Sequence, residues 1–440
     1  MIDLYLAAEV PSTAMREHQL IVFLLQLAGL LLLALLLGKV ANRFGMPAIV
    51  GELMVGVLIV PSVLGHLPEH VSGWLPQRDP DQLVLLETVG QIGLLLLVGL
   101  TGAHMNLALV RKRGKSALGI STMGLVLPLG LGIATGFLLP NNLVAADRTT
   151  FALFLGVAMC VCAIPVIAKI LMDMKLQHRN VGQLILTAAV IDDTVGWLLL
   201  AFVSTMATVG LAAGPVLVST LSLVAIILVA VTAGRWLVHA VITRAARNTV
   251  TLIGAAVVLI LLFSAATGAA KFEPVLGAFL CGLLISASGL SYKQLEPLRV
   301  LVVSVFAPVF FALAGLRMDL TLLLEPSVLL AGIAVLTVAI GSKFFGAYLG
   351  ARLSKMTHWE SLALGAGLNA RGVIEVIVAS VGVKLGVLNT AAYTIVILVA
   401  IATSLMAPPL LRYAMARVEK TADELLHEDE PEPDPLRRVA

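Results

Sequence analysis

Long apolar segments recur along this chain, and they limit its fold more than any other feature. Between residues 19 and 417, runs of mostly apolar residues follow one another. Each run is about 20 residues long, which is the length an α-helix needs to cross roughly 30 Å of hydrocarbon. Backbone polar groups in hydrocarbon must be satisfied within their own segment, so such runs form helices. Only 12% of the 440 residues are charged, about half the fraction usual in soluble proteins. The sequence therefore predicts an all-α polytopic membrane protein.

Connections that contain polar residues, Gly or Pro divide the chain into about 13 transmembrane helices. The first run is predicted to be a spanning helix rather than a signal peptide, because Asp3, Glu9 and Glu17 precede it in place of a basic leader. The predicted spans are residues 19–39, 47–64, 83–103, 116–139, 150–172, 181–207, 215–241, 249–268, 274–288, 297–316, 327–352, 361–383 and 391–413.

Lysine and arginine in the short loops predict the orientation. Alternate connections are rich in these residues, for example residues 111–115 (RKRGK), whereas the other set is nearly bare of them. Basic loops stay in the cytoplasm. We therefore expect an inner-membrane protein with its N-terminus outside and its C-terminus in the cytoplasm, which agrees with an odd number of spans.

Little of the chain lies outside the predicted spans. Residues 1–18 are expected to form an extracytoplasmic N-terminus, and the acidic, Pro-containing residues 414–440 a short disordered cytoplasmic tail. The sequence contains no nucleotide-binding fingerprint and no P-loop, so we expect no cofactor, no nucleotide-binding regulatory domain, no nucleic-acid partner and no enzymatic activity. Cys160, Cys162 and Cys281 lie in apolar segments without ligand spacing, which favours packing.

Two predicted spans have matching interruptions. Divided as six spans, a linker and six spans, the chain makes the fifth and twelfth spans equivalent and opposite in direction. Pro165 interrupts the fifth, and Gly372 follows Gly367 in the twelfth. Pro removes a helical hydrogen bond and Gly loosens the backbone. Inverted repeats with broken helices build many secondary carriers, so we expect two crossing broken helices.

Charged residues in the predicted spans indicate an ion path. A charge at the centre of a membrane helix costs at least ~2.5 kcal/mol. Asp192 and Asp193 lie roughly 16 Å from the start of the sixth span, and Lys343 roughly 14 Å from the end of the eleventh. Arg371 and Glu375 are near the middle of the twelfth and spaced i, i+4, so we expect them to share one helical face. Two further polar residues of these spans, Asn369 and Thr187, are expected in a cavity or core network.

Adjacent buried carboxylates suit proton-coupled exchange. Such a group holds either a proton or a cation, and that competition is what an antiporter needs. Since neighbouring helical residues point about 100° apart, one aspartate can face the ion while the other pairs with Lys343. The alternative is that these charges form buried pairs that only fix helix packing.

Four motifs resemble those of the second family of the monovalent cation/proton antiporter superfamily. They are residues 51–65 (GELMVGVLIVPSVLG, with Val60 where glycine is usual), 163–171 (AIPVIAKIL), 189–198 (AVIDDTVGWL) and 370–379 (ARGVIEVIVA). The resemblance covers nearly all of residues 19–413.

The resemblance implies a sodium/proton antiporter fold of 13 helices in a homodimer with elevator-like motion. Asp193 would bind the cation, while Asp192 would pair with Lys343, an arrangement associated with electrogenic exchange. The ion would be Na⁺, with K⁺ as the alternative. The implied dimer-domain helices are about residues 19–103 and 249–316, the core-domain helices about 116–207 and 327–413, and the linker helix about 215–241.

Other functions fit less well. An intramembrane aspartyl protease takes its two acids from two helices, whereas Asp192 and Asp193 are adjacent on one. Residues 194–197 (TVGW) resemble part of a potassium-channel selectivity filter, but they occur once and in the middle of a predicted helix. The remaining alternative is a proton-coupled exporter of an organic cation or an ion-chelating metabolite on the same fold.

Overall fold

The structure is a computed structural model that describes residues 17–44, 46–59, 80–105, 107–145, 147–176, 179–210, 213–290 and 292–419. The predicted N-terminal segment before residue 17, residues 60–65 of the 51–65 motif and the tail from residue 420 lie outside these ranges. The helices are α1 (Glu17–Arg43), α2 (Ala48–Ile59), α3 (Pro80–His104), α4 (Leu107–Leu138), α5 (Arg148–Cys160), α6 (Ile164–Asp173), α7 (Asn180–Val209), α8 (Ala213–Val229), α9 (Arg235–Ala245), α10 (Thr249–Ala269), α11 (Pro274–Ala287), α12 (Glu296–Leu301), α13 (Ala307–Leu316), α14 (Pro326–Leu353), α15 (His358–Leu368), α16 (Val373–Lys384) and α17 (Thr390–Met415).

The described residues form a helical membrane protein, as predicted. Within them, nine continuous helices are long and apolar enough to cross a membrane, and α15 with α16 forms a tenth that is bent by 43°. The shorter apolar helices of the described part are α2, α5 and α11. The all-α multi-span fold is thus confirmed, whereas the count of 13 spans stays a prediction.

Two spans are broken, and the breaks touch. Residues 161–163 separate α5 from α6, and residues 369–372 separate α15 from α16. The backbone N–H of Ala163 donates to the carbonyl of Ala370 at 3.2 Å, so the two non-helical segments lie side by side. The first break begins earlier than Pro165, which lies in the first turn of α6. A proline is tolerated there because the first N–H groups of a helix have no partner to lose.

The helices pack as two groups. The core group comprises α4–α7 and α14–α17, and the scaffold group comprises α1–α3 and α10–α13. The scaffold contains a close helix crossing: a Cβ on Gly315 would lie 2.0 Å from the carbonyl oxygen of Leu53. The core group contains both broken spans.

Helices α8 and α9 form one long segment between the groups. They are joined by a π-helical turn, Ala230–Gly234, and many of their apolar side chains are exposed, including Leu221, Leu228 and Val229. This exposure suits a helix that faces lipid on one side.

Candidate functional site

The two adjacent aspartates lie within α7, and both side chains are fully buried. Helix α7 packs against α4 and α5 of the core group and is flanked by the first break. Because successive side chains on a helix diverge by about 100°, Asp192 and Asp193 meet different neighbours.

Asp192 forms a buried ion pair in which both of its carboxylate oxygens are bonded. Nζ of Lys343, from α14, lies 2.6 Å from Oδ2 of Asp192, and neither side chain is exposed. The hydroxyl of Ser121, from α4, donates to the other carboxylate oxygen. Lys343 also donates to the carbonyls of Gly124 at 3.0 Å and Cys160 at 2.6 Å. An ammonium has three N–H donors, so protein groups engage the whole of Lys343 and both oxygens of Asp192.

Asp193 is only partly bonded. Sγ of Cys162 lies 3.5 Å from its Oδ1, and the backbone N–H of Ile164 interacts with the same carboxylate. Its Oδ2 is buried and has no hydrogen-bond partner among the described residues. A buried carboxylate oxygen without a partner is costly. Of the two aspartates, Asp193 is therefore the one with bonding capacity left for a proton or a cation.

The first break supplies both groups that contact Asp193. Cys162 lies in the non-helical segment 161–163, and Ile164 is the first residue of α6. The N-terminus of a helix presents free N–H groups and a partial positive charge, which attract a carboxylate. Breaking this span thus places polar backbone beside Asp193, at a depth where a continuous helix would offer only side chains.

Arg371 lies in the second break and donates hydrogen bonds to the carbonyls at the C-terminal end of α5. Its Nη1 donates to the carbonyl of Ala158 at 2.9 Å, and its Nη2 donates to those of Met159 at 2.6 Å and Ala339 at 3.0 Å. The last carbonyls of a helix have no partner within it. Arg371 and Lys343 together neutralise this buried negative end of α5.

The i, i+4 face expected for Arg371 and Glu375 does not form. Helix α16 begins at Val373, so Arg371 precedes it and the helical spacing does not apply. Oε2 of Glu375 instead accepts the N–H of Gly372 at 2.7 Å and caps α16. The contacts of the described residues include no ion pair between Arg371 and Glu375.

The two other predicted polar residues differ in how they are bonded. Asn369 is 1% exposed, and neither atom of its amide has a hydrogen-bond partner among the described residues. Thr187 is fully buried, but its hydroxyl donates to the carbonyl of Gln183 at 2.7 Å, within its own helix. Asn369 keeps unused hydrogen-bonding capacity at the second break, whereas Thr187 satisfies itself locally.

Sequence reasoning missed three contributors. Ser121 bonds Asp192, Cys162 contacts Asp193, and the hydroxyl of Ser404 donates to the carbonyl of Arg371. A serine in an apolar span carries no signal of its own. The position of Cys162, three residues before Pro165, was the one available clue.

Nearly the whole helical region matches one family. Residues 29–416 fit the family model described as sodium/hydrogen exchanger, transmembrane. The chain belongs to this family. The resemblance noted from the four motifs is therefore confirmed.

Relatives of this exchanger-family chain are similar along most of its length. It is 30% identical over 413 residues to Cation/H(+) antiporter 15 of Arabidopsis thaliana, covering 92% of this chain and 49% of the relative. It is 30% identical over 407 residues to the Na(+)/H(+) antiporter NhaS4 of Synechocystis, covering 90% and 98%. The chain thus spans about half the length of the plant relative.

A solved structure supports the exchanger fold. The sodium proton antiporter MjNhaP1 from Methanocaldococcus jannaschii superposes with a TM-score of 0.69 at 18% identity, covering 91% of this chain and 99% of that one. At this identity the likeness concerns the fold alone.

Proposed function

We propose that this chain exchanges a monovalent cation for protons across the membrane, with Asp193 as the group that holds either ion. The observation that carries the proposal is the contrast between the two aspartates. Lys343 and Ser121 bond the two carboxylate oxygens of Asp192, whereas Oδ2 of Asp193 has no hydrogen-bond partner among the described residues. One buried carboxylate is thereby neutralised, and its neighbour is left to exchange its ligand.

The cation in this proposal is Na⁺, with K⁺ as the alternative. The cyanobacterial relative that matches over nearly its full length is named as a Na(+)/H(+) antiporter, which favours sodium. Oxygen ligands suit a hard alkali ion, and the buried carboxylate of Asp193 and the unpartnered amide of Asn369 are the candidate donors. Arg371 and Glu375 would hold the two breaks in shape, and Thr187 would have a packing role.

Electrogenic exchange is part of the proposal. Asp193 alone can trade one proton for one monovalent ion, which moves no net charge. Exchange of two protons for one cation would require that the Asp192–Lys343 ion pair separate and release a proton when the cation binds. Such coupling is supported by the direct contact between Lys343 and Asp192, because Asp192 is the sequence neighbour of Asp193.

We further propose alternating access by an elevator-like movement of the core group against the scaffold group in a homodimer. Support comes from the packing of the helices in two groups joined by α8 and α9. The proposed setting is the inner membrane, with the N-terminus outside and the C-terminus in the cytoplasm, as the basic loops favour.

Exchange in proteoliposomes tests the proposed function. A pH gradient is imposed, a fluorescent reporter follows it, and Na⁺, Li⁺, K⁺ and a large organic cation are added in turn. We expect Na⁺ to collapse the gradient in wild type and Asp193→Asn to match empty liposomes. The matched control is Asp147→Asn, because Asp147 caps α5 at its exposed end and Asn caps helices equally well.

Two outcomes would overturn the proposal. A gradient that collapses equally with Asp193→Asn would remove Asp193 as the carrier group. A gradient that responds to the organic cation and to no alkali ion would favour the metabolite-exporter alternative on the same fold.

A further inference from the structure

A groove with basic residues in its lining lies between the linker segment, which is α8 and α9, and the scaffold group. Its lining does not include Asp192 or Asp193. It is a cavity of about 350 Å³ between α9, the π-turn before it and the end of α11. Its lining includes Thr232, Arg235, Trp236, His239, Leu284 and Ser288.

A π-helical turn forms part of the wall of the groove. The π-turn Ala230–Gly234 widens the helix just before Arg235, and such turns often occur at functional sites. A Cβ on Gly234 would lie 3.1 Å from the ring of Phe263 and 3.4 Å from Leu284. The linker therefore packs closely on the scaffold at Gly234, and α9 also packs against α10 and α11.

The groove lies where the lipid-facing apolar surface gives way to polar residues. Leu228 and Val229, just before the π-turn, are 59% and 62% exposed, and Trp236 is 75% exposed. Tryptophan is enriched at the membrane–water interface. The loop that follows α9 carries Arg247, so this end is the one that the sequence assigns to the cytoplasm.

The free donors of the groove are basic or aromatic. Arg235 and His239 are spaced i, i+4 on one helical face, both are exposed, and the lining contains no carboxylate. The contacts of the described residues include no ion pair for either. The hydroxyls of Thr232 and Ser288 donate to their own helices, to Leu228 O and Ile285 O, each at 2.6 Å. They can therefore only accept from a ligand, which leaves Arg235, His239 and Trp236 as donors.

We propose that this groove binds the phosphate headgroup of an anionic phospholipid from the bilayer. The guanidinium of Arg235 and the imidazole of His239 would donate to the phosphate oxygens, while the acyl chains would lie along the exposed apolar residues of α8. A lipid suits the site better than a free anion, because the basic pair directly continues a lipid-facing surface. The inference is independent of the transport role proposed for Asp193.

Thermal unfolding of the full-length protein in detergent tests this site. Cardiolipin is added, and the melting temperature is compared with that after an equal amount of phosphatidylcholine. We expect cardiolipin to raise the melting temperature of wild type more, and the double variant Arg235→Gln/His239→Gln to lose at least half of that difference. The matched control is Arg244→Gln, which should keep the full cardiolipin effect. Arg244 is exposed on the same helix but lies nine residues after Arg235, on the opposite face.

Each other outcome counts against the site. An equal cardiolipin effect in the double variant, or none in wild type, would overturn it. An equal rise with millimolar inorganic phosphate would indicate a small-anion site instead. A change in oligomeric state in the double variant, with lipid binding by native mass spectrometry unaltered, would assign the groove to a contact between two copies.

Discussion

Nζ of Lys343 lies 2.6 Å from Oδ2 of Asp192, although the two residues are 151 positions apart and neither side chain is exposed. Removing one partner of a buried ion pair leaves an uncompensated charge, which costs about 3–5 kcal/mol. We therefore predict that Lys343→Gln lowers the free energy of unfolding by about that amount and weakens the voltage dependence of exchange. Chemical unfolding in detergent and charge-movement recordings would measure the two effects.

A double-mutant cycle separates the ion pair from simple packing. Lys343→Gln leaves the buried charge of Asp192 without a partner, and Asp192→Asn removes that charge. The double variant should therefore be more stable than Lys343→Gln alone. Additive losses of stability, together with unchanged charge movement in Lys343→Gln, would show that the pair does not act as a unit.

The crossing of α2 and α13 depends on glycine. A Cβ on Gly315 would meet backbone at 2.0 Å, a distance that real Cβ atoms do not show. Gly315→Ala must push the helices apart, and we predict a loss of about 3 kcal/mol in unfolding free energy. Gly254, in α10, has open space around its Cβ position, so Gly254→Ala should stabilise by roughly 0.5–1 kcal/mol. Equal effects of the two changes would contradict the crossing described here.

Glu273 and Lys384 join the two helix groups. Oε2 of Glu273, before α11 of the scaffold, lies 3.8 Å from Nζ of Lys384 at the end of α16 in the core. We predict that cysteines at both positions, linked by a short bifunctional thiol reagent, stop exchange in proteoliposomes. The physical reason is that elevator-like motion requires the core group to slide past the scaffold.

A pair within the scaffold provides the control for this crosslink. Arg317 lies 2.6 Å from Glu87 between α13 and α3, and both side chains are partly exposed. The same reagent on Glu87→Cys/Arg317→Cys should leave exchange intact. Normal exchange with the 273–384 pair fully crosslinked would exclude relative motion of the two groups there.

Much of the fold could be predicted from the sequence, because hydrocarbon imposes length and helicity on each apolar run. The all-α multi-span prediction is confirmed. The exact end of a broken helix was harder to predict. Pro165 lies near the first break, but the helix before the break ends at Cys160. Pro fits the first turn of α6, and the free carbonyls before the break are bonded by Lys343 and Arg371, both distant in sequence.

For the candidate site, depth along the spans was informative and spacing was not. The similar depths calculated for Asp192 and Lys343 anticipated their contact, because the sequence places each at a similar distance from the cytoplasmic end of its span. The spacing of Arg371 and Glu375 misled, because an i, i+4 argument assumes a continuous helix and α16 starts between them. Ser121 could not be found, since its contact depends on how α4 packs against α7.

If a proton and a cation compete for Asp193, binding of the cation must release the proton, and this release can be measured. Purified protein in weakly buffered detergent solution with a pH-sensitive dye is titrated with Na⁺ and then K⁺. We expect proton release from wild type and from Asp147→Asn with at least one of these ions, and none from Asp193→Asn. Release from Asp193→Asn equal to that of wild type, with the same dependence on the ion, would contradict it.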